Sequence, residues 1–131
     1  MSDPGTVLIV EDDDGIRSLL VAVAERGGFR CRVAHDGDGA LKALGDGAAD
    51  PVVILLDLLM PHVDGFAVLT YLDKNSPHLL RRVIVVTAAG EATLRRAKEL
   101  KRVWCVRRKP LEIADLSAQM RSCADAAVAV S

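Results

Sequence analysis

Five polar residues follow short apolar runs of the sequence, and together they could act on one chemical group. Glu11 and Asp12 follow VLIV, Asp57 follows VVILL, Thr87 follows VIVV, and Lys109 follows VWCV after two arginines. Carboxylates brought within a few ångströms of one another cannot all stay ionised unless a cation offsets their repulsion. Hard oxygen ligands with room for water favour Mg²⁺. We therefore interpret Glu11, Asp12 and Asp57 as a candidate magnesium site.

The lysine and the threonine indicate what such a site would bind. Lys109 supplies a compact positive charge and Thr87 a hydroxyl donor, so the set suits an anion with several oxygens. A phosphoryl group is the natural candidate. A carboxylate can itself be the nucleophile and form an aspartyl-phosphate, while a metal ion and a lysine neutralise charge on the phosphoryl oxygens. The residue types therefore predict phosphoryl transfer to an aspartate.

Five apolar runs of strand length alternate with helical patterns along the chain and would position these residues. The runs cover residues 7–10, 29–34, 52–56, 83–86 and 103–106. This alternation predicts an α/β domain with a doubly wound parallel sheet, because each parallel connection needs a crossover helix. Ligands bind outside the carboxyl ends of the strands in such sheets. All of the polar residues above follow strand ends, so we expect them to converge on one crevice.

Two segments should be held less firmly than the rest. The second run alternates Arg30 and Arg32 with apolar residues, which is typical of an edge strand. Residues 91–101 have only a thin apolar stripe among basic residues, which predicts a weakly held helix. We place the domain at residues 1–124. Residues 125–131 are a C-terminal tail that either extends the last helix or frays.

Composition limits the classes of protein to which the chain can belong. Its 131 residues, of which 50% are hydrophobic, suffice for one domain. A net charge of -1 creates no field that would hold a polyanion, so we expect no direct nucleic-acid binding. The apolar runs are far shorter than the roughly 20 residues that span a bilayer, so we expect a cytoplasmic protein without a membrane segment. We expect its three cysteines to be buried reduced thiols.

Four stretches in this order resemble the receiver domains of two-component response regulators: VLIVEDD, LLDLLMPHVDG, VIVVTA and RRKP. The resemblance covers nearly the whole chain. It implies a flavodoxin-like (βα)5 three-layer sandwich whose five-stranded parallel sheet has the order 2-1-3-4-5, which agrees with an edge position for the second strand. It also implies a cis bond between Lys109 and Pro110, which would direct the lysine into the crevice.

The resemblance implies a role for each site residue. Asp57 would be the phospho-acceptor, and Thr87 and Lys109 would bind the phosphoryl oxygens. The domain would catalyse its own phosphorylation and slow dephosphorylation without being a conventional enzyme. Beside Asp57, the Mg²⁺ ligands would be Asp12 directly, Glu11 through water, and the backbone carbonyl of Leu59.

The same resemblance implies partners. A histidine kinase or phosphotransfer protein, of bacterial type, would donate the phosphoryl group. A downstream output protein, or an output domain lost from this chain, would receive the signal, and a homodimer is allowed. One alternative stays open, which is a receiver-like docking module that is never phosphorylated. Phosphorylation of Asp57 in the presence of Mg²⁺ separates the two. An aspartate-nucleophile phosphatase is disfavoured because Leu59 stands where it would need a second acid.

The sequence departs from the family pattern at two places. Val106 stands where the family usually has an aromatic switch residue, and we expect Trp104 to lie on the same side of the strand as Val106. Leu59 and Ala89 are apolar and cannot hold an attacking water. In the loop after the acceptor, we expect Gly65 to provide an unusual backbone angle.

Two further acids, one beside Asp12 and one in the loop after Asp57, are expected to have local structural roles. We interpret Asp13 as a helix-start residue and Asp64 as a turn residue.

Overall fold

The computed structural model describes residues 3–129, in which five parallel strands lie between two layers of helices. The strand order is β2-β1-β3-β4-β5, as the resemblance implies. Two short 3-10 helices, Pro77–Arg82 and Lys98–Lys101, interrupt the alternation of strands and helices. The regular elements are β1 Thr6–Val10, α1 Asp14–Arg26, β2 Arg30–Ala34, α2 Gly37–Gly45, β3 Val53–Leu56, α3 Gly65–Asn75, β4 Val83–Thr87, α4 Glu91–Leu94, β5 Cys105–Arg108 and α5 Ile113–Ala129.

The sheet confirms the predicted difference between central and edge strands. Every residue of β3 and β4 is buried, whereas β2 is largely accessible and lies at the edge beside β1. Continuous apolar runs suit strands that are covered on both faces, and alternating arginines suit a strand that is open on one side. The prediction that the second strand is an edge is therefore confirmed.

Two apolar cores cover the two faces of the sheet. Leu8 and Val10 of β1 belong to the core on the side of α3, and Val7 and Ile9 belong to the core on the side of α1 and α5. This separation follows from the two-residue alternation of a strand. The two cores fix the sheet between its helices and hold the carboxyl ends of the strands at one edge of the domain.

The last strand begins two residues later than predicted, at Cys105 instead of residue 103. Trp104 therefore precedes β5, and it packs with the core of α1 and α5, where its Nε1 donates to Gln119 at 3.0 Å. Val106 packs with the opposite core. The expectation that Trp104 and Val106 share one side was wrong, because alternation holds only inside a strand.

The segment predicted as one weak helix at residues 91–101 forms two short pieces. Helix α4 has four residues, the 3-10 helix Lys98–Lys101 follows it, and neither contains a buried residue. A helix of this length cannot offset its nucleation cost without burying an apolar face. The prediction that this segment is weakly held by the core agrees with the lack of buried residues in both short helices. The prediction of one continuous helix was wrong.

The end of the chain and the cysteines complete the fold. Helix α5 continues through Ala129, and residues 130–131 lie outside the described part. All three cysteines are free thiols, but only Cys123 is buried, while Cys31 and Cys105 are partly exposed. Within residues 3–129, every helix is too short or too polar to cross a bilayer.

Candidate functional site

Three strand ends bring an acid, a second acid and a lysine into direct contact. Glu11 follows β1, Asp57 follows β3 and Lys109 follows β5. The Lys109 Nζ lies 2.9 Å from Glu11 Oε1 and 3.5 Å from Asp57 Oδ2. Glu11 is 0% exposed and Asp57 is 3% exposed. The predicted convergence of these residues is what parallel strands produce when their carboxyl ends meet.

A third carboxylate joins this pair at the solvent side. One oxygen each from Glu11, Asp12 and Asp57 can be chosen so that all lie within 4.8 Å of one another. Asp12 is exposed, whereas the other two are buried. Three hard oxygen donors with one open side fit Mg²⁺, which keeps several of its waters when it binds to proteins. The donor set therefore suits the ion predicted from the sequence.

Burial and neighbouring charges shift the pKa values of two groups in this crevice, Glu11 and Lys109. Burial raises the pKa of Glu11 to about 7, and the charge of Asp57 adds to the rise, while hydrogen bonds from Lys109 and from the Asp13 amide oppose it. Burial acts to lower the pKa of Lys109, but its bond to Glu11 and the nearby carboxylates outweigh burial and raise it. Lys109 is therefore a permanent positive charge at neutral pH.

The loop between β1 and α1 shows why the third acid of EDDD is not a ligand. Asp13 Oδ1 accepts from the Ile16 N–H at 2.8 Å and caps α1. The Asp13 N–H donates to Glu11 Oε2 at 3.2 Å. The interpretation of Asp13 as a helix-start residue is thus confirmed. Asp64 has the same role in α3, where its Oδ1 accepts from the Ala67 N–H at 3.0 Å, so it is a cap and not a simple turn residue.

The loop after Asp57 lies close to the start of α3. Asp57 Oδ1 accepts from the Leu59 N–H at 3.1 Å, and the Leu59 side chain is 48% exposed. A Cβ on Gly65 would lie only 2.3 Å from the Asp57 carbonyl oxygen. Gly65 is therefore required by close approach, and the expected unusual angle is instead at His62, whose φ is 63°.

Thr87 and Lys109 are joined through the backbone of adjacent strands. The Lys109 N–H donates to the Thr87 carbonyl at 2.8 Å, and the Lys109–Pro110 bond is cis. Thr87 is fully buried at the end of β4, and its Oγ1 accepts from the Ala89 N–H at 3.1 Å. Because a hydroxyl both donates and accepts, this bond leaves its O–H free to donate to a ligand.

One residue that contacts the loop between β1 and α1 was not predicted from the sequence. Arg17, in α1, donates from Nη1 to the carbonyl oxygens of Glu11 at 3.1 Å and Asp12 at 3.4 Å. Its Nη2 is paired with Asp14. A cation near a helix start opposes the helix macrodipole, and that unfavourable placement is the signal that could have drawn attention to it.

Comparisons with known proteins agree with the fold. A family model of the response regulator receiver domain matches residues 7–121. The chain is 37% identical over 121 residues to a probable methanogenesis regulatory protein, FilR2, of Methanothrix harundinacea, covering 87% of this chain and 77% of that protein. It is 38% identical over 89 residues to the transcriptional regulatory protein SrrA of Staphylococcus aureus, covering 68% of this chain and 35% of SrrA.

Solved structures give the same result. The receiver domain of the Francisella response regulator 1452 superimposes with a TM-score of 0.78 at 27% identity, covering 93% of this chain and 98% of that one. A receiver domain protein from Clostridium thermocellum shares the fold with a TM-score of 0.83 at 21% identity, covering 96% and 98%. The chain therefore belongs to the response regulator receiver domains of two-component systems.

Proposed function

We propose that Asp57 accepts a phosphoryl group from a histidine kinase or phosphotransfer protein, with Mg²⁺ held at the acidic cluster. The observation that carries this proposal is the contact of Lys109 Nζ with both Glu11 and Asp57, at 2.9 and 3.5 Å. Receiver domains generally bind Mg²⁺ at an acidic pocket, and this chain has such a cluster. The ligands would be Asp12, Asp57, Glu11 through water, and the Leu59 carbonyl.

The chain's own residues supply the remaining chemistry. A carboxylate oxygen of Asp57 attacks phosphorus, the bond from phosphorus to the donor nitrogen breaks, and the electron pair of that bond returns to the leaving imidazole. When bound, Mg²⁺ neutralises charge on the carboxylates and on the phosphoryl oxygens. Lys109 places a permanent positive charge beside Asp57. The free O–H of Thr87 donates to a phosphoryl oxygen once the group has arrived.

Loss of the phosphoryl group should be slow. Hydrolysis needs a water positioned in line with the carboxyl–phosphorus bond, and a polar side chain near Asp57 would hold it. Leu59 and Ala89 are apolar and offer no such hydrogen bond. The domain is thus a phospho-acceptor whose slow self-dephosphorylation resets it, and it turns over no separate substrate.

The signal would leave the site through the loop after β4. Thr87 already binds that loop through Ala89, so movement of its hydroxyl toward a phosphoryl group would displace the backbone before α4. Helix α4 and the 3-10 helix behind it bury no residue, so they can respond at little cost. The recipient would be a cytoplasmic output protein, an output domain or a second copy of the domain. The match to this chain covers 35% of SrrA, and SrrA as a whole is a transcriptional regulatory protein.

Phosphoryl uptake tests the proposal. The parent protein should acquire a hydroxylamine-labile label from acetyl phosphate or a phosphohistidine donor with Mg²⁺, and none with chelator. Asp57→Asn should abolish uptake. Asp64→Asn is the matched control, because it alters an acid of the same loop, and asparagine keeps the helix cap. Uptake that persists in Asp57→Asn would place the acceptor elsewhere. No uptake by the parent would favour the unphosphorylated docking module.

A further inference from the structure

Arg17 is the one basic residue of α1 that contacts the loop carrying the first two acids of the site. Its side chain is only 13% exposed, although its partner Asp14 is 92% exposed. The guanidinium therefore lies against the β1–α1 loop and not in solvent. From there it donates to the carbonyl oxygens of two successive residues, Glu11 and Asp12. Those two residues also supply two of the three clustered carboxylates.

Stability of α1 does not by itself account for this placement. A cation near the start of a helix opposes the macrodipole, and partial burial of its charge carries a desolvation cost. The helix start is already capped by Asp13, whose Oδ1 binds the Ile16 N–H. Besides its ion pair with Asp14 inside the helix, Arg17 donates to two backbone carbonyls ahead of the helix. These two hydrogen bonds fix the peptide groups that follow Glu11 and Asp12.

We propose that Arg17 is a positioning residue that preorganises Glu11 and Asp12 for a divalent cation. The inference rests on the proposed function, because it takes the acidic cluster as the cation site. With both peptide groups fixed, Glu11 and Asp12 lose little further freedom when the cation binds. Residues behind the ligands of a metal typically change its affinity in this way. The planar fork of arginine suits two neighbouring acceptors and Asp14 together, and the single amine of lysine does not.

The loop contains its own reporter of this effect in the absence of any ion. The Asp13 N–H donates to Glu11 Oε2 at 3.2 Å, so its protection from hydrogen exchange measures how firmly the Glu11 side chain is held. If Arg17 positions this loop, its removal should weaken that protection before any cation is added.

The test uses the whole protein with Mg²⁺ alone and no phosphodonor. Amide chemical shifts are followed during Mg²⁺ titration of the parent, Arg17→Ala, Arg17→Lys and the control Arg26→Ala, which removes an exposed arginine from the last turn of the same helix. We expect the Mg²⁺ Kd to rise roughly tenfold in both Arg17 variants and to stay unchanged in Arg26→Ala. Faster exchange of the Asp13 amide should accompany the loss.

Arg17→Lys keeps the charge and most of the side chain, so we expect this variant to fold even if Arg17→Ala does not. If both folded Arg17 variants bind Mg²⁺ as the parent does and differ only in melting temperature, Arg17 merely stabilises α1 and the inference is wrong. If the parent itself does not bind Mg²⁺, the proposed function fails and the inference fails with it. The two failures are therefore distinguishable.

Discussion

Replacing Gly65 with alanine should destabilise the domain and displace the acceptor. The added Cβ would lie 2.3 Å from the Asp57 carbonyl oxygen and 2.6 Å from Leu58 Cα. Both are backbone atoms, so no side chain can rotate away, and the start of α3 must retreat by about an ångström to reach ordinary contact distances. That retreat also stretches the bond from the Gly65 N–H to the Leu58 carbonyl, which is now 3.0 Å.

The expected change in the free energy of unfolding follows from these contacts. Overpacking against a rigid neighbour costs about 1–3 kcal/mol. Loss of one backbone hydrogen bond adds about 1 kcal/mol. The higher helix propensity of alanine offsets up to about 1 kcal/mol of this loss. We expect the free energy of unfolding of Gly65→Ala to fall by about 1–4 kcal/mol, and a loss in the middle of that range lowers the melting temperature by roughly 10 °C in a chain of this size.

Urea and thermal unfolding followed by circular dichroism measure this change. Gly90→Ala is the matched control, because Gly90 has a φ of -79° and no atom lies within 4 Å of its added Cβ. Phosphoryl uptake should fall in Gly65→Ala and persist in Gly90→Ala, since only the former moves the Asp57 backbone. A Gly65→Ala protein whose unfolding free energy lies within about 0.5 kcal/mol of the parent, with an unchanged m-value, would refute the close-contact argument.

Three further predictions test other parts of the domain. Leu59→Asn should speed loss of the phosphoryl group by holding a hydrolytic water, and phosphate release no faster than in the parent would contradict this. Asp13→Ala should lower the free energy of unfolding by about 1 kcal/mol in urea, while Asp13→Asn should not, because asparagine also caps a helix. Burial raises the pKa of the Cys123 thiol to about 12, so a disulfide reagent at neutral pH should label this residue only after unfolding, and after the partly exposed Cys31 and Cys105. Equal labelling of all three thiols in the folded protein would contradict that order.

Much of the site could be predicted because parallel strands place their carboxyl ends together. Glu11, Asp57 and Lys109 each follow an apolar run, so topology alone predicts their contact once the runs are recognised as strands. The edge position of the second strand was equally predictable, since Arg30 and Arg32 cannot both be covered by helices. These features depend on hydrophobic pattern and chain order, which one sequence contains in full.

Other features depend on contacts between distant backbone segments, which no local pattern encodes. Gly65 was predicted to be special, but the reason, the Asp57 carbonyl oxygen lying where a Cβ would stand, appears only when α3 packs on the loop. The position of Trp104 depended on where β5 begins, because a residue that precedes the strand does not follow its alternation, and Trp104 packs with the core opposite to that of Val106. The division of residues 91–101 reflects a missing apolar face, which the sequence indicated without giving the break point.

The separation of Glu11 and Lys109 along the chain has a consequence for synthesis. The two residues that form the tightest ion pair of the crevice are 98 positions apart. Strands β1, β2 and β3 emerge from the ribosome first and can pair with one another, which brings Glu11 and Asp57 together before Lys109 exists. Without the lysine, the hydrogen bond that lowers the pKa of Glu11 is missing, while burial and the charge of Asp57 still raise that pKa. The partial sheet is therefore expected to form with Glu11 protonated, and the fifth strand then brings the cation that favours its charged form.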